Sequence, residues 1–377
     1  MAGAFETGEY RNYFELIGID DETAAQRVAD CFNTMFFDEE ESIWHDTDPD
    51  AGCLVDTGND DARTEGMSYG MMMCVQLGRQ DLFDKLLRFS LRYMRMDTGV
   101  HAGYFAWSVQ PDGTKNAWGP APDGEEYYAM ALFMAAARWK SDEFDYAELA
   151  RDILRHCVHQ SEMVEGGMPM WDPDTHCIRF IPETLWSDPS YHLPHFYELF
   201  ALLADERDRD FWREAAEASR RHIAAAADPE TGLSPTHAEF DGTCRPFMDK
   251  PFTFYSDAYR VASNIALNHI WFGEDERLDA VEYRLQAFLK ARPDCMEWAC
   301  SLKGEIAEEP VMHPVGLLAT LGAASAVTLD KQWLERLWNT PLRRGKRRYY
   351  DNCLYLFAVM MLSGNYRIWI PEEEPEG

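Results

Sequence analysis

The sequence predicts an all-α protein, an (α/α)6 barrel made of six helical hairpins, and three observations lead to it. Apolar residues recur at helical spacing in twelve stretches of the 377-residue chain, while the two-residue alternation of a strand is rare and brief. The stretches come in pairs whose internal links are short, as at residues 78–80 and 273–274, so paired helices run antiparallel. The links between pairs are long and rich in Gly, Pro, Asp and Trp: 38–64, 95–121, 160–188, 228–255 and 292–312. Loops of that length in a compact fold are usually functional, and in a ring of hairpins they gather at one end.

The predicted helices cover 22–37, 65–78, 81–94, 122–139, 145–159, 189–204, 208–227, 256–271, 274–291, 313–325, 329–338 and 350–361. Glu65 lies in the first turn of the second, where an acid suits the helix dipole, and Met71, Met72 and Met73 fill the core behind it. Gly66 and Gly70 lower helix propensity there and mark places where a ligand or another backbone comes close. Asp123 opens the fourth helix as a candidate cap, and Ser256 or Asp257 would cap the eighth. His313 precedes Pro314 at the entry to the tenth, a common arrangement at a helix start. The most apolar runs, 129–137 and 315–329, are too short or too interrupted to span a bilayer. No linker or charge run divides the chain, so residues 1–377 are read as a single domain.

Lys and Arg number 35 against 66 Asp and Glu, a formal net charge of −31. That balance repels phosphate backbones and anionic membranes, so neither nucleic acid nor a membrane is an expected partner. A neutral or cationic small ligand is compatible with it, and oligomeric state is left open. Nine scattered cysteines read as reduced, mostly buried thiols. With an N-terminus lacking a basic-then-apolar export pattern, they predict a cytoplasmic protein. The pairs His156/His159, His192/His195 and His176/Cys177 lack the spacing of a zinc site, so no metal and no cofactor is predicted. The basic run at 343–348 reads as a solvated loop.

The long loops mix aromatic and acidic residues. Phe105, Trp107, Trp118, Trp171, Trp186, Phe252, Phe254 and Tyr255 stand beside Gly, Pro and Asp. Flat apolar rings with polar neighbours suit the C–H faces of a sugar, although loops folded over the ring would equally bury them. Glu65, Asp123 and Asp257 stand at three helix starts that open toward one end of a toroid. Capping explains each singly; together they suggest paired acids.

Residues 121–132, Ala-Pro-Asp-Gly-Glu-Glu-Tyr-Tyr-Ala-Met-Ala-Leu, resemble the signature of glycoside hydrolase family 8, with Pro122, Glu125 and Tyr128 as departures. The segments 65–71, 255–260, 188–191 and 349–351 resemble further family segments in the family's order. The resemblance implies an (α/α)6 barrel that hydrolyses glycosidic bonds with inversion. It assigns Glu65 as general acid, Asp257 as general base and Asp123 to the sugar beside the scissile bond. Tyr191 would hold the water with Asp257, and Arg260 would keep that base ionised or bind substrate. Trp107 and Tyr350 are the stacking candidates.

Gly124-Glu125-Glu126-Tyr127 and Met312-His313-Pro314 are similar to the branch that removes xylose from the reducing end of short β-1,4-xylo-oligosaccharides. There His313 would meet the anomeric hydroxyl. In that branch the segment at 312–314 forms a kink that leaves room for one sugar past the scissile bond, and without it the implied activity is an endo-acting xylanase, glucanase or chitosanase. A sugar epimerase using paired histidines, or a non-catalytic sugar-binding protein, are the other readings of the same toroid. For any acid at Glu65 the helix start lowers the pKa, so burial or a like charge, with Asp123 as candidate, must offset it.

Overall fold

The computed structural model describes residues 2–371. Twelve helices alternate between an outer and an inner layer: α1 (Asp21–Phe37), α2 (Thr64–Leu77), α3 (Gln80–Phe89), α4 (Pro122–Arg138), α5 (Tyr146–Met163), α6 (Pro194–Leu203), α7 (Arg209–Ala226), α8 (Arg260–Phe272), α9 (Glu276–Ala291), α10 (Pro314–Ala323), α11 (Lys331–Asn339) and α12 (Arg348–Leu362). The even-numbered helices form the inner ring and pack on one another in sequence, and α12 returns against α2 to close it. This is the predicted (α/α)6 toroid.

The two layers have different sequences for a physical reason. Inner helices meet protein on every side, and 12 of the 14 residues of α2 and 14 of the 15 of α12 are buried. Met71, Met72 and Met73 are fully buried among them. Outer helices bury one stripe, as α3 does with Leu82, Phe83, Leu86, Leu87 and Phe89.

Helix starts divide the same way. Asp20, Asp145, Asp275 and Asp330 cap outer helices through their carboxylates. No inner helix has a side-chain cap among the described residues, and three begin with proline instead, at Pro122, Pro194 and Pro314.

Two predicted helices are interrupted at their starts. The stretch 189–204 opens as a single 3-10 turn at Pro189–Tyr191, fixed by Asp188 accepting from Ser190 N–H at 2.8 Å, and α6 begins only at Pro194. The stretch 256–271 opens as a 3-10 turn, Ser256–Tyr259, with Ser256 at φ 45°. The predicted 81–94 ends in a π-turn over Ser90–Met94, and 313–325 breaks before the short helix Ser325–Thr328.

Short antiparallel ribbons zip the long loops over one end. They are β1 (Trp44–Asp48) with β2 (Ala51–Leu54), β3 (Ala62–Arg63) with β4 (Ser108–Val109), β5 (Trp186–Ser187) with β6 (Ala238–Glu239), and β7 (Trp298–Cys300) with β8 (Ile306–Pro310). The register Arg63 to Ser108 places Trp107 beside the start of α2.

All nine cysteines are free, and all but Cys244 are buried. The basic run is a correction in part. Residues 344–346 are solvent-exposed as expected, but at the ends of the run Arg343 reaches the buried Asp351 and Arg348 donates to the carbonyls of Glu41 and Ser42, so the loop is anchored to the barrel on both sides. No helix of the described residues is long and apolar enough to cross a membrane.

Candidate active site

Every inner helix delivers a side chain to one cleft of about 460 Å3 at its N-terminal end. Glu65 comes from α2, Asp123 from α4 and Tyr191 from the turn before α6. Asp257 and Arg260 flank the start of α8, His313 precedes α10, and Tyr349 and Tyr350 open α12. Trp107 and Met312 complete the walls from the loops. All eight residues singled out from the sequence therefore line the same space.

Glu65 lies at the cleft wall with 16% of its side chain exposed. Its Oε1 accepts the Tyr349 hydroxyl at 2.8 Å and its Oε2 faces Arg260 Nη1 at 3.1 Å, so it does not cap its own helix. Burial pushes its carboxyl up to about 8, Asp123 and Asp257 add to the rise, and Arg260 and the Tyr349 bond oppose it. These are the offsets that an acid at a helix start requires.

Asp123 is buried and likewise caps nothing. Its Oδ2 accepts from Arg260 Nη1 at 2.9 Å, while Oδ1 has no protein partner among the described residues. Burial raises its pKa, against the pull of Arg260. Arg260 is 4% exposed, which excludes the surface ion pair otherwise open to it. Its Nη1 also lies 2.8 Å from the Tyr69 hydroxyl, and its Nη2 donates to Ser190 Oγ at 2.9 Å. Its carboxylate partners are Glu65 and Asp123, whereas the sequence pairs it with Asp257 one turn away.

Asp257 is half-buried, and Ser256 Oγ lies 3.3 Å from its Oδ1. Its charge contributes to raising Glu65, Asp123 and Asp188, the last pushed up to about 8 mainly by burial. The Tyr191 ring carries the Arg260 guanidinium 5.5 Å from its centroid.

The wall residues differ in exposure. Trp107 is 38% exposed and holds the Arg63 guanidinium 5.2 Å from its ring, Arg63 being fixed by Asp61 at 3.0 Å. His313 packs on Tyr350 with ring centroids 4.7 Å apart. Its Nδ1 lies 2.9 Å from Asp351 Oδ2. Met312 and His313 both line the cleft.

Among the other loop aromatics, Phe105, Trp171, Phe252, Phe254 and Tyr255 are buried under the folded loops, the second of the two readings open to them, and Trp118 is exposed outside the cleft. The reason given for the glycines also changes. A Cβ on Gly66 would lie 2.5 Å from the Tyr349 hydroxyl, and one on Gly70 would lie 2.8 Å from Leu54. Side chains approach them, not a ligand or a backbone. Tyr349, Tyr69, Ser190, Arg63 and Phe180 belong to the site but were not singled out. Tyr349, Tyr69 and Ser190 lie within the segments 349–351, 65–71 and 188–191 that carry the family resemblance.

A helical toroid that focuses carboxyl groups and aromatic rings into a groove defines an enzyme acting on carbohydrate. Residues 47–364 match the family model described as glycosyl hydrolases family 8. The chain belongs to that family. It is 52% identical to the reducing end xylose-releasing exo-oligoxylanase of Halalkalibacterium halodurans, over 99% of this chain and 98% of that one. The solved structure of Rex8A from Paenibacillus barcinonensis complexed with xylose is 49% identical, with a TM-score of 0.94 over 97% of this chain and 99% of that one. Endoglucanase 2 of Ruminiclostridium josui stands much further off, 24% identical over 82% of this chain and 65% of its own.

Proposed function

We propose that the protein is an inverting glycoside hydrolase that releases xylose from the reducing end of short β-1,4-xylo-oligosaccharides. The observation that carries this reading is the carboxyl of Glu65, pushed up to about 8 in a cleft shared with the half-buried Asp257. One carboxyl that keeps its proton near neutrality and one that can take a proton from water are the pair that inversion needs.

Glu65 gives its proton to the glycosidic oxygen as the bond to the anomeric carbon breaks. Asp257 removes a proton from a water whose oxygen attacks that carbon from the opposite face, with Tyr191 holding the water. Asp123, with Oδ1 unpartnered by protein, takes hydroxyls of the sugar on the non-reducing side of the broken bond and steadies its distorted ring. Arg260 spaces the acid and Asp123 from within. Trp107 and Tyr350 stack on sugar faces, and His313 meets the anomeric hydroxyl of the departing xylose.

The identity to named exo-oligoxylanases, against the distance to endoglucanases, supports reducing-end release over endo cleavage. One catalytic domain spans the chain in this reading, and the unpaired thiols support a cytoplasmic location. A time course on xylotriose and xylotetraose labelled at one end, read by NMR for the first anomer, tests it. Labelled xylose from the reducing end is expected, with the new reducing end of the shortened oligosaccharide first formed as the α anomer. Retention of the β configuration at that newly formed end, or label first appearing in a longer product, would overturn it.

A further inference from the structure

The end of the cleft is held from behind. Asp351 is fully buried in α12, and its carboxylate is shared by three donors. Gly316 N–H reaches Oδ1 at 2.8 Å, and Arg343 Nη1 reaches Oδ2 at 2.6 Å beside His313 Nδ1 at 2.9 Å. An accepting Oδ2 puts the ring hydrogen on Nδ1, which leaves Nε2 as the acceptor of the neutral imidazole.

The same Arg343 Nη1 donates to the Met312 carbonyl at 2.7 Å. Asn352 fixes Arg343 in turn, accepting from its backbone N–H at 2.8 Å and donating to its carbonyl at 3.0 Å. Arg347, at φ 66°, lays Nη1 2.9 Å from Met312 Sδ. Both wall residues are therefore fixed by arginines from one loop, Met312 directly and His313 through Asp351.

We propose that Arg343 is a positioning residue that sets where along the oligosaccharide the enzyme cuts. One guanidinium nitrogen ties the Met312 backbone to the carboxylate that orients His313, so the wall stays shut behind a single sugar. Exclusion of a second sugar by a fixed wall is specificity by obstruction rather than by added affinity. This rests on the reducing-end reading given above.

Arg343→Met, Arg343→Lys and Arg347→Met are compared with the parent protein on xylotetraose labelled at its reducing end, with melting temperature recorded for each. The parent is expected to release labelled xylose. In Arg343→Met the ratio of labelled xylose to labelled xylobiose falls about tenfold or more, the size of one lost charged hydrogen bond. Arg343→Lys recovers part of the ratio, and Arg347→Met shifts it the same way by less. In a Met312→Ala background Arg343→Met adds little. An unchanged ratio in a folded Arg343→Met, or lower activity at constant ratio, overturns the proposal. If Arg343→Met does not fold, Arg343→Lys and Arg347→Met decide by the same ratio. Absence of labelled xylose from the parent protein overturns the reducing-end reading instead.

Discussion

Arg260 Nη1 stands 3.1 Å from Glu65 Oε2 and 2.9 Å from Asp123 Oδ2, so one buried nitrogen bridges two carboxyl groups brought from different helices. A single cation cannot fully neutralise both in a desolvated site. The arrangement favours a proton on the pair, and Glu65 is the member reached by solvent and ligand. The following outcomes are expected from that relationship and its surroundings.

Glu65→Gln removes the transferable proton while keeping the side-chain shape, and Asp257→Asn removes the base. Each lowers kcat by about 100-fold to 10,000-fold or more, the range for a general acid or base. Circular dichroism melting should show both variants folded. Near-normal turnover in either removes that residue from its role. A loss confined to a His195 variant would point to histidine-based epimerase chemistry.

The pH profile follows Glu65. The acid works while protonated, so kcat/KM falls as pH rises through about 8. Tyr349 donates to Glu65 and lowers its pKa, so Tyr349→Phe moves this limb to higher pH. Asp123 raises it by like charge, so the residual activity of Asp123→Asn shows the limb at lower pH. Opposite shifts in the two variants are the check.

Glu125 offers a stability measurement separate from catalysis. It is buried, accepts from Phe105 N–H at 3.0 Å, and its carboxyl is pushed up to about 8 by burial. Its folded pKa lies above its unfolded one, so its contribution is whole below the ordinary glutamate range and is lost as pH rises through about 8. Glu125→Gln cannot ionise. Its melting temperature should fall less than the parent's between mildly acidic and mildly alkaline buffer.

Gly66→Ala places a methyl 2.5 Å from the Tyr349 hydroxyl and 2.6 Å from its ring. The ring must shift, at a cost of about 1–3 kcal/mol for overpacking. Because Tyr349 holds the acid, kcat should fall together with the melting temperature. Unchanged values of both would mean that Tyr349 yields freely.

Trp107→Ala removes a ring exposed on the cleft wall. The loss of about 1–1.5 kcal/mol of stacking raises KM about fivefold to tenfold with little effect on kcat. A fall in kcat alone would place Trp107 at the reacting sugar instead.

The twelve helices were legible because inner and outer elements bury different fractions of their surface, and apolar spacing reports that directly. The breaks at Asp188 and Ser256 were not legible, since a capped 3-10 turn and a left-handed serine leave no periodic signal. The acids stood out because Glu65, Asp123 and Asp257 open helices whose loops converge. Arg260 was placed in the right cleft with a different partner, because its neighbour along the chain is Asp257 while its guanidinium turns toward helices distant in sequence. Ser190 and Tyr69 reach the site through that same arginine, and although both lie in segments that carry the family resemblance, nothing local pairs them with Arg260.

The seam where α12 returns to α2 has a consequence for biosynthesis. Tyr349, 284 positions later, packs against Glu65, so the burial that raises the acid is complete only when the last hairpin docks. A ribosome-bound chain lacking that hairpin would hold most of its sugar-facing groups yet have an unfinished proton donor. Hydrolysis is expected to begin only when the circle is joined, and cutting the chain before Tyr349 should silence the enzyme even where much of the helix content persists.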